Sequence, residues 1–204
     1  MKKTIQNIIF DVGNVLFNYD PNYITSKLLP KKANQAFYID HLFNAPIWQQ
    51  LDRGDTTTNE AIQTIKKNHP EADAAHLKTL ITKFPDHLTL NTPIKTIFTT
   101  FTKQYNVYIL SNFQAPQYER LKKNHAFLST AKGTAISSSL YMKKPEIGIY
   151  HYLLTKYGLN PNRSIFIDDL EENIATAKKL CINSITFKSE PQLKQDLKKY
   201  EVHV

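Results

Sequence analysis

The stretch "IIFDVGNVLFNYD", residues 8–20, decides how this chain is read. Three apolar residues, Ile8, Ile9 and Phe10, run directly into Asp11, and the flexible pair Gly13 and Asn14 follows. A short unbroken apolar run that stops at turn residues marks a strand buried on both faces, as strands of parallel sheets are. The same signature recurs: "TIQNIIF" ends at Phe10, "NVYIL" at Leu110, "SIFI" at Ile167 and "SITF" at Phe187. Helical patterns alternate with these runs. "APQYERLKKNH" covers 115–125, "PEIGIYHYLLTKYG" covers 145–158 with proline near its start and glycine at its end, and "EENIATAKKLC" covers 171–181. Strand–helix alternation predicts an α/β protein with a doubly wound parallel sheet. "GTAISSSLY", from residue 133, is a weaker strand candidate.

Residues 19–88 break this alternation, because no convincing strand occurs there. "PNYITSKLL", "KANQAFYIDHLFN", "TTNEAIQTIKKN" and "DAAHLKTLITKF" carry apolar residues near helical spacing, and Thr57 with Glu60 three residues later reads as a capping box. The reading is a helical cap at 19–88 inserted into a core formed by 1–18 and 89–204. The insertion point places the cap over the carboxyl ends of the strands, where open α/β sheets bind ligands.

The 204 residues, 41% hydrophobic and 22% charged, suit a folded globular chain with a core and an inserted subdomain. A single cysteine rules out an internal disulfide framework, and Cys181 itself reads as a small buried apolar residue. No apolar run approaches the roughly 18 residues of a membrane helix, and the start "MKKTIQNIIFDV" has no small-residue cleavage site. A cytoplasmic protein without a membrane partner is therefore expected. The net charge of +8 is distributed as scattered lysine pairs on amphipathic patterns, without zinc-finger spacing or an RNA-binding aromatic signature. That favours solvated faces and an anionic small molecule over nucleic acid.

Three of the strong strands end in polar residues: Asp11 after the first, Ser111 and Asn112 after the second, Asp168 and Asp169 after the third. Taken singly, each could cap a helix or a turn, and Lys144 before Pro145 could be a surface lysine. Neighbouring parallel strands, however, bring their carboxyl ends to one crevice, so the fold would gather groups that lie far apart in sequence.

Together these segments resemble the haloacid dehalogenase superfamily of hydrolases. The likeness is to its small phosphatases with a helical cap after the first motif, of the glucose-1-phosphatase or epoxide-hydrolase N-terminal phosphatase kind. The carriers are "FDVGNVL" at 10–16, "LSN" at 110–112, "KKPEIGIY" at 143–150 and "FIDDLEENIATAKKLC" at 166–181, with "WQQLDRGDTTTNEA" at 48–61 similar to a cap segment of that branch. The resemblance implies a Rossmann-like sheet and a Mg²⁺-dependent phosphatase acting on a small phosphorylated metabolite, such as a sugar phosphate, through an aspartyl-phosphate. In that scheme Asp11 is the nucleophile. Asp11, the Gly13 carbonyl and Asp169 hold Mg²⁺, while Asp168 and Asn173 support Asp169. Ser111, Asn112 and Lys144 bind the phosphoryl oxygens, with the amides near Val12, Gly13 and Asn112 forming a nest.

One position departs from the pattern. Most phosphatases of the superfamily carry a second aspartate two residues after the nucleophile as acid–base group, and here that residue is Gly13. Asp20 is the downstream replacement considered. Trp48, Phe37, Tyr38 and Phe43 read as cap core, part of which could face substrate, and Arg53 reads as a surface residue. Two other functions fit the same residues: a carbon–halogen hydrolase, which needs no leaving-group acid, and a noncatalytic phosphate-binding or regulatory protein.

Overall fold

The computed structural model describes residues 4–204; the first three residues of the start "MKKTIQNIIFDV" lie outside them. From the amino terminus the chain runs β1 (Asn7–Phe10), β2 (Phe17–Asn18), α1 (Pro21–Leu28), α2 (Gln35–Tyr38), α3 (Pro46–Arg53), α4 (Thr58–Asn68), α5 (Ala74–Lys83) and β3 (Thr89–Leu90). It continues through α6 (Thr92–Phe101), β4 (Asn106–Ser111), α7 (Ala115–Asn124), β5 (Gly133–Ile136), α8 (Ile147–Tyr157), β6 (Ser164–Asp168), α9 (Glu171–Lys179), β7 (Asn183–Thr186) and α10 (Glu190–Lys198). Five strands form one sheet in the order β5-β4-β1-β6-β7, every neighbouring pair parallel. This is the doubly wound α/β sheet expected from the sequence.

The alternation of side chains along β1 explains why helices cover both faces. Ile8 and Phe10 belong to one apolar cluster with Ile97, Phe98 and Phe101 of α6 and Leu193 and Leu197 of α10. Ile9 belongs to a second cluster on the opposite face with Ile149, Tyr150 and Leu153 of α8 and Ile174 and Ala177 of α9. The sequence expectation did not name α6 and α10. Both begin at side-chain caps, Asn91 and Ser189, with proline in the first turn. The weak strand candidate from residue 133 is half strand, since β5 stops at Ile136. There the Ser137 and Ser138 hydroxyls turn aside to accept hydrogen bonds from the backbone N–H groups of Phe113 and Ala115.

Helices α1 to α5 all lie between β2 and β3, which pair antiparallel where the chain leaves the sheet and returns to it. Their starts are fixed locally. Asp20 accepts from the amides of Asn22 and Tyr23 ahead of Pro21, and Thr57 and Glu60 form the reciprocal capping box read from sequence. In the stretch 32–44, only α2 is α-helical, and a wider π turn over Ile39–Phe43 follows it. Leu42, Trp48, Leu51, Leu77 and Phe84 of this segment share one continuous cluster with Phe10 and Ile109 of the sheet. The helical segment is therefore packed onto the sheet by the same apolar core that the sheet itself uses.

Helix α3 ends where it meets the sheet's loops. Gly54 takes a left-handed φ of 89°, and a Cβ there would lie 2.5 Å from the Ser138 carbonyl oxygen. Only glycine allows that approach.

Phe10 is fully buried, with its ring centroid 5.2 Å from Phe98 and 6.4 Å from Phe101. Phe10→Ala is expected to cost about 3–5 kcal/mol in urea unfolding, the range for a large ring deleted from a packed core. A loss below about 1 kcal/mol would show that this ring does not anchor β1.

Candidate active site

Sheet register sets the position of the site. Phe10 of β1 pairs with Ile109 of β4 and Ile167 of β6, so Asp11 leaves the sheet at the level of Asp168, with Ser111 just beyond. Groups about 100 and 57 residues apart in sequence thereby meet at the carboxyl edge of three adjacent strands. A cavity of about 260 Å³ opens there, bordered by Asp11, Gly13, Ser111, Asn112, Lys144, Asp169 and Asn173.

Lys144 stands at the centre of the charge network. Its Nζ lies 2.7 Å from Asp11 Oδ1 and 2.6 Å from Asp168 Oδ2, and its side chain is 1% exposed. The ammonium also sits 5.5 Å from the centroid of the Phe166 ring. Burial works against the charged lysine, but Asp11 and Asp168 outweigh it and hold its pKa above the ordinary value. Burial pushes the Asp11 carboxyl up to about 6; Lys144 and the Ser111 hydroxyl pull it down, and the charge of Asp168 pushes it up. The Asp169 carboxyl is also raised, first by burial, against a hydrogen bond from Asn14.

The supporting bonds differ in detail from the sequence expectation. Asn173 Nδ2 donates to Asp168 Oδ1 at 2.8 Å, not to Asp169, and the Leu170 amide donates to the same oxygen at 2.9 Å. The side chain that reaches Asp169 is Asn14, whose Nδ2 lies 3.2 Å from Oδ2. Asn112 uses its side chain on the Lys144 backbone: Oδ1 accepts from the Lys144 amide at 2.7 Å, and Nδ2 donates to the Lys144 carbonyl at 2.9 Å. That pair of hydrogen bonds across 32 residues ties the lysine's backbone to the loop after β4.

Four aromatic rings and one further acid complete the cavity: Tyr19, Trp48, Phe84, Phe113 and Asp52. Trp48 is thus both packed, 4.6 Å from Phe43 and 5.1 Å from Phe84, and part of the lining. The Tyr19 hydroxyl is buried without a hydrogen-bond partner among the described residues. Sequence reasoning had not singled out Asp52, Tyr19, Phe84 or Phe113. The available signal for Asp52 was its place four residues after Trp48 on one helix, hence on the same face.

Two sequence expectations, for Asp20 and Cys181, are corrected. Asp20 does not border the cavity; it is exposed and caps α1. Arg53, read as a surface residue, is partly exposed and forms ion pairs with Glu146 at 2.7 Å and Asp55 at 2.6 Å. Cys181 is exposed rather than buried. It closes α9 with a left-handed φ of 58°, its amide bonded to the Lys178 carbonyl, and it is Ile182 that turns inward, with its amide bonded to Ala177.

One carboxylate oxygen from each of Asp11, Asp168 and Asp169 lies within 4.8 Å of the others. An all-oxygen set of three carboxylates, only two of them paired with an ammonium, suits a hard divalent cation such as Mg²⁺.

Lys144→Ala would leave two buried carboxylates without their shared partner. It is expected to lower stability by about 3–5 kcal/mol at neutral pH in urea unfolding, as removal of one member of a buried ion pair does. A change below about 1 kcal/mol would mean that the network does not depend on this lysine.

Comparison with known proteins agrees with this geometry. A drimenol cyclase of Aspergillus calidoustus is 27% identical over 199 residues; the match covers 95% of this chain, which spans 36% of that protein's length. A sesquiterpene phosphatase of Aspergillus oryzae is 24% identical, with 87% of each chain covered. An enzyme from Bacteroides thetaiotaomicron, solved in complex with magnesium and inorganic phosphate, superposes with a TM-score of 0.73 at 23% identity, covering 90% of this chain and 94% of that one. The family model for haloacid dehalogenase-like hydrolases matches residues 8–187, which include every strand of the sheet but for Asn7 at the start of β1, and the chain belongs to that family.

Proposed function

We propose that this hydrolase is a Mg²⁺-dependent phosphatase that cleaves a small phosphate monoester through an aspartyl-phosphate on Asp11. The observation that carries the reading is the charge arrangement at the strand ends: Asp11, Asp168 and Asp169 cluster together, and a buried ammonium pairs with the first two. A site for a neutral substrate would have no use for both a divalent-cation donor set and a buried lysine. The sesquiterpene phosphatase similarity and the magnesium and phosphate complex of the Bacteroides protein support the same direction.

Asp11 and Asp169, with the Gly13 carbonyl, would hold the cation, and Asp168 would keep Lys144 in place. Bound there, Mg²⁺ supplies positive charge that lets two anions approach each other. The rest follows from side chains. Lys144, with the Ser111 hydroxyl and the Asn112 amide, would hold the phosphoryl oxygens and neutralise charge as it develops. Asp11 would attack phosphorus, splitting one difficult displacement into two easier ones. The aromatic wall would take the carbon part of the ester and exclude water around it.

The carbon–halogen alternative accounts less well for this centre, since halide displacement brings no phosphoryl anion to neutralise. The test is a set of phosphate monoesters assayed with Mg²⁺ and with excess chelator. Turnover is expected only with the metal, and it should be lost in Asp11→Asn with unchanged circular dichroism. Asp169→Ala should raise the Mg²⁺ concentration needed for half-maximal rate more than Ser111→Ala does. Full hydrolysis in excess chelator, or near wild-type rates in folded Asp11→Asn, would overturn the reading.

A further inference from the structure

Gly13 leaves this site without an acid–base group beside the nucleophile, and packing does not force that gap. A Cβ at Gly13 would meet nothing within 4 Å, and its φ is not in the left-handed region. Protonation of the leaving oxygen must come from another part of the cavity. Among the described residues, the acids that border it are Asp11, Asp169 and Asp52. The first two belong to the phosphoryl and cation side, which leaves Asp52, on the roof formed by α3.

Resting on the phosphatase reading above, we propose that Asp52 is the catalytic residue that protonates the leaving-group oxygen, in place of a carboxylate at position 13.

Three consecutive residues fasten this part of α3 to the core and so fix Asp52 over the cavity. The Ser137 hydroxyl donates to the Asp52 backbone carbonyl. Arg53 reaches Glu146 through both Nε and Nη2, at 2.7 and 3.2 Å. Gly54 abuts the Ser138 backbone. A residue held in this way can work without a lid motion to bring it in, because its helix is already docked on the loops that follow β4 and β5.

The surroundings of Asp52 suit a proton donor. Burial pushes its carboxyl up to about 8, although a long 3.4 Å hydrogen bond from Gln114 Nε2 and the charge of Lys143 pull it down. Lys143 is itself held at 2.7 Å by Gln49 on the same helix. The Tyr19 hydroxyl, whose pKa is raised well above the usual value by burial and by Asp52, is the other polar group of the roof. Arg53 adds little, being paired with Glu146 and Asp55. Asp52 therefore carries its proton at neutral pH.

The step balances. As the Asp11 oxygen bonds to phosphorus, the ester P–O bond breaks and the Asp52 proton goes to the departing oxygen. The products are the alcohol, the aspartyl-phosphate and an Asp52 carboxylate. That carboxylate then takes a proton from water as the water oxygen attacks phosphorus, the acyl–phosphate bond breaks, and inorganic phosphate leaves with Asp11 and Asp52 restored. Acid help counts most where the departing oxygen is strongly basic.

The test compares an alkyl phosphate with 4-nitrophenyl phosphate, both with Mg²⁺, in wild type and Asp52→Asn, a change that leaves the backbone bond to Ser137 available. The alkyl rate is expected to fall about 10²–10⁴-fold, the usual worth of general acid–base catalysis, and the nitrophenyl rate less than about 10-fold. The wild-type alkyl rate should fall as pH rises above about 8, where Asp52 loses its proton, and Gln114→Leu, which removes a bond that lowers that pKa, should move this limb to higher pH. Equal losses for both esters, no loss, or a limb that Gln114→Leu leaves in place would overturn the assignment. Should Asp52→Asn not fold, the Gln114→Leu limb decides alone. Wild type that turns over neither ester would instead overturn the phosphatase reading itself, and the assignment with it.

Discussion

The buried ion pair of Lys144 with Asp11 and Asp168 is the constraint on which the site depends. Carboxylates from two separate chain segments are brought to 2.7 and 2.6 Å from the ammonium of a third in a nearly solvent-free place. Desolvating such charges costs several kcal/mol each and is offset only when the partners are close and their remaining bonds are made. The neighbouring residues meet that demand. Asn173 and the Leu170 amide occupy the other oxygen of Asp168, and Asn112 holds the Lys144 backbone at both its donor and its acceptor. The rigidity of the centre thus follows from how little freedom an unpaired charge would have there.

The sheet makes this arrangement possible because β1 lies between β4 and β6. Parallel pairing with Phe10 opposite Ile109 and Ile167 sends Asp11, Ser111 and Asp168 out of one edge. Apolar packing on both faces, by Phe98 and Phe101 below one and by Tyr150 and Ile174 below the other, keeps the central strand from slipping in register. The helical segment adds the opposite wall. Its chemistry is different: aromatic rings and the single acid Asp52, against the charged floor of the cavity. A cavity with an ionic floor and an aromatic roof can hold an ester at both ends, with the reacting bond near the boundary.

Much of this was legible in the sequence, and the reason is local. Unbroken apolar runs such as "IIF" and "SIFI" identify strands buried on both faces, and the residue that follows a strand is at its end whatever else the chain does. Asp11, Ser111, Asp168 and Asp169 could therefore be placed before any coordinates. The capping box at Thr57 and Glu60 and the glycine after α8 were readable for the same reason, since caps are made within a few residues.

What only the tertiary structure decided are properties that depend on residues far away in sequence. Asp52 borders one cavity with the rings of Tyr19, Trp48, Phe84 and Phe113, which four different parts of the chain deliver, so its proton affinity has no local signature. The same holds for Asn173, which bonds Asp168 rather than Asp169, and for Arg53, whose partner Glu146 lies 93 residues away. Asp20 and Cys181 show the limit from the other side: position just after the nucleophile motif suggested an acid for the cavity and residue type a small group for the core, but a helix cap and a left-handed turn place both at the surface. The sequence alone determined which residues end the strands, because periodicity and caps act over a few residues; the assembled fold decided the charge state and the partners of those residues, because desolvation and pairing act across the whole molecule.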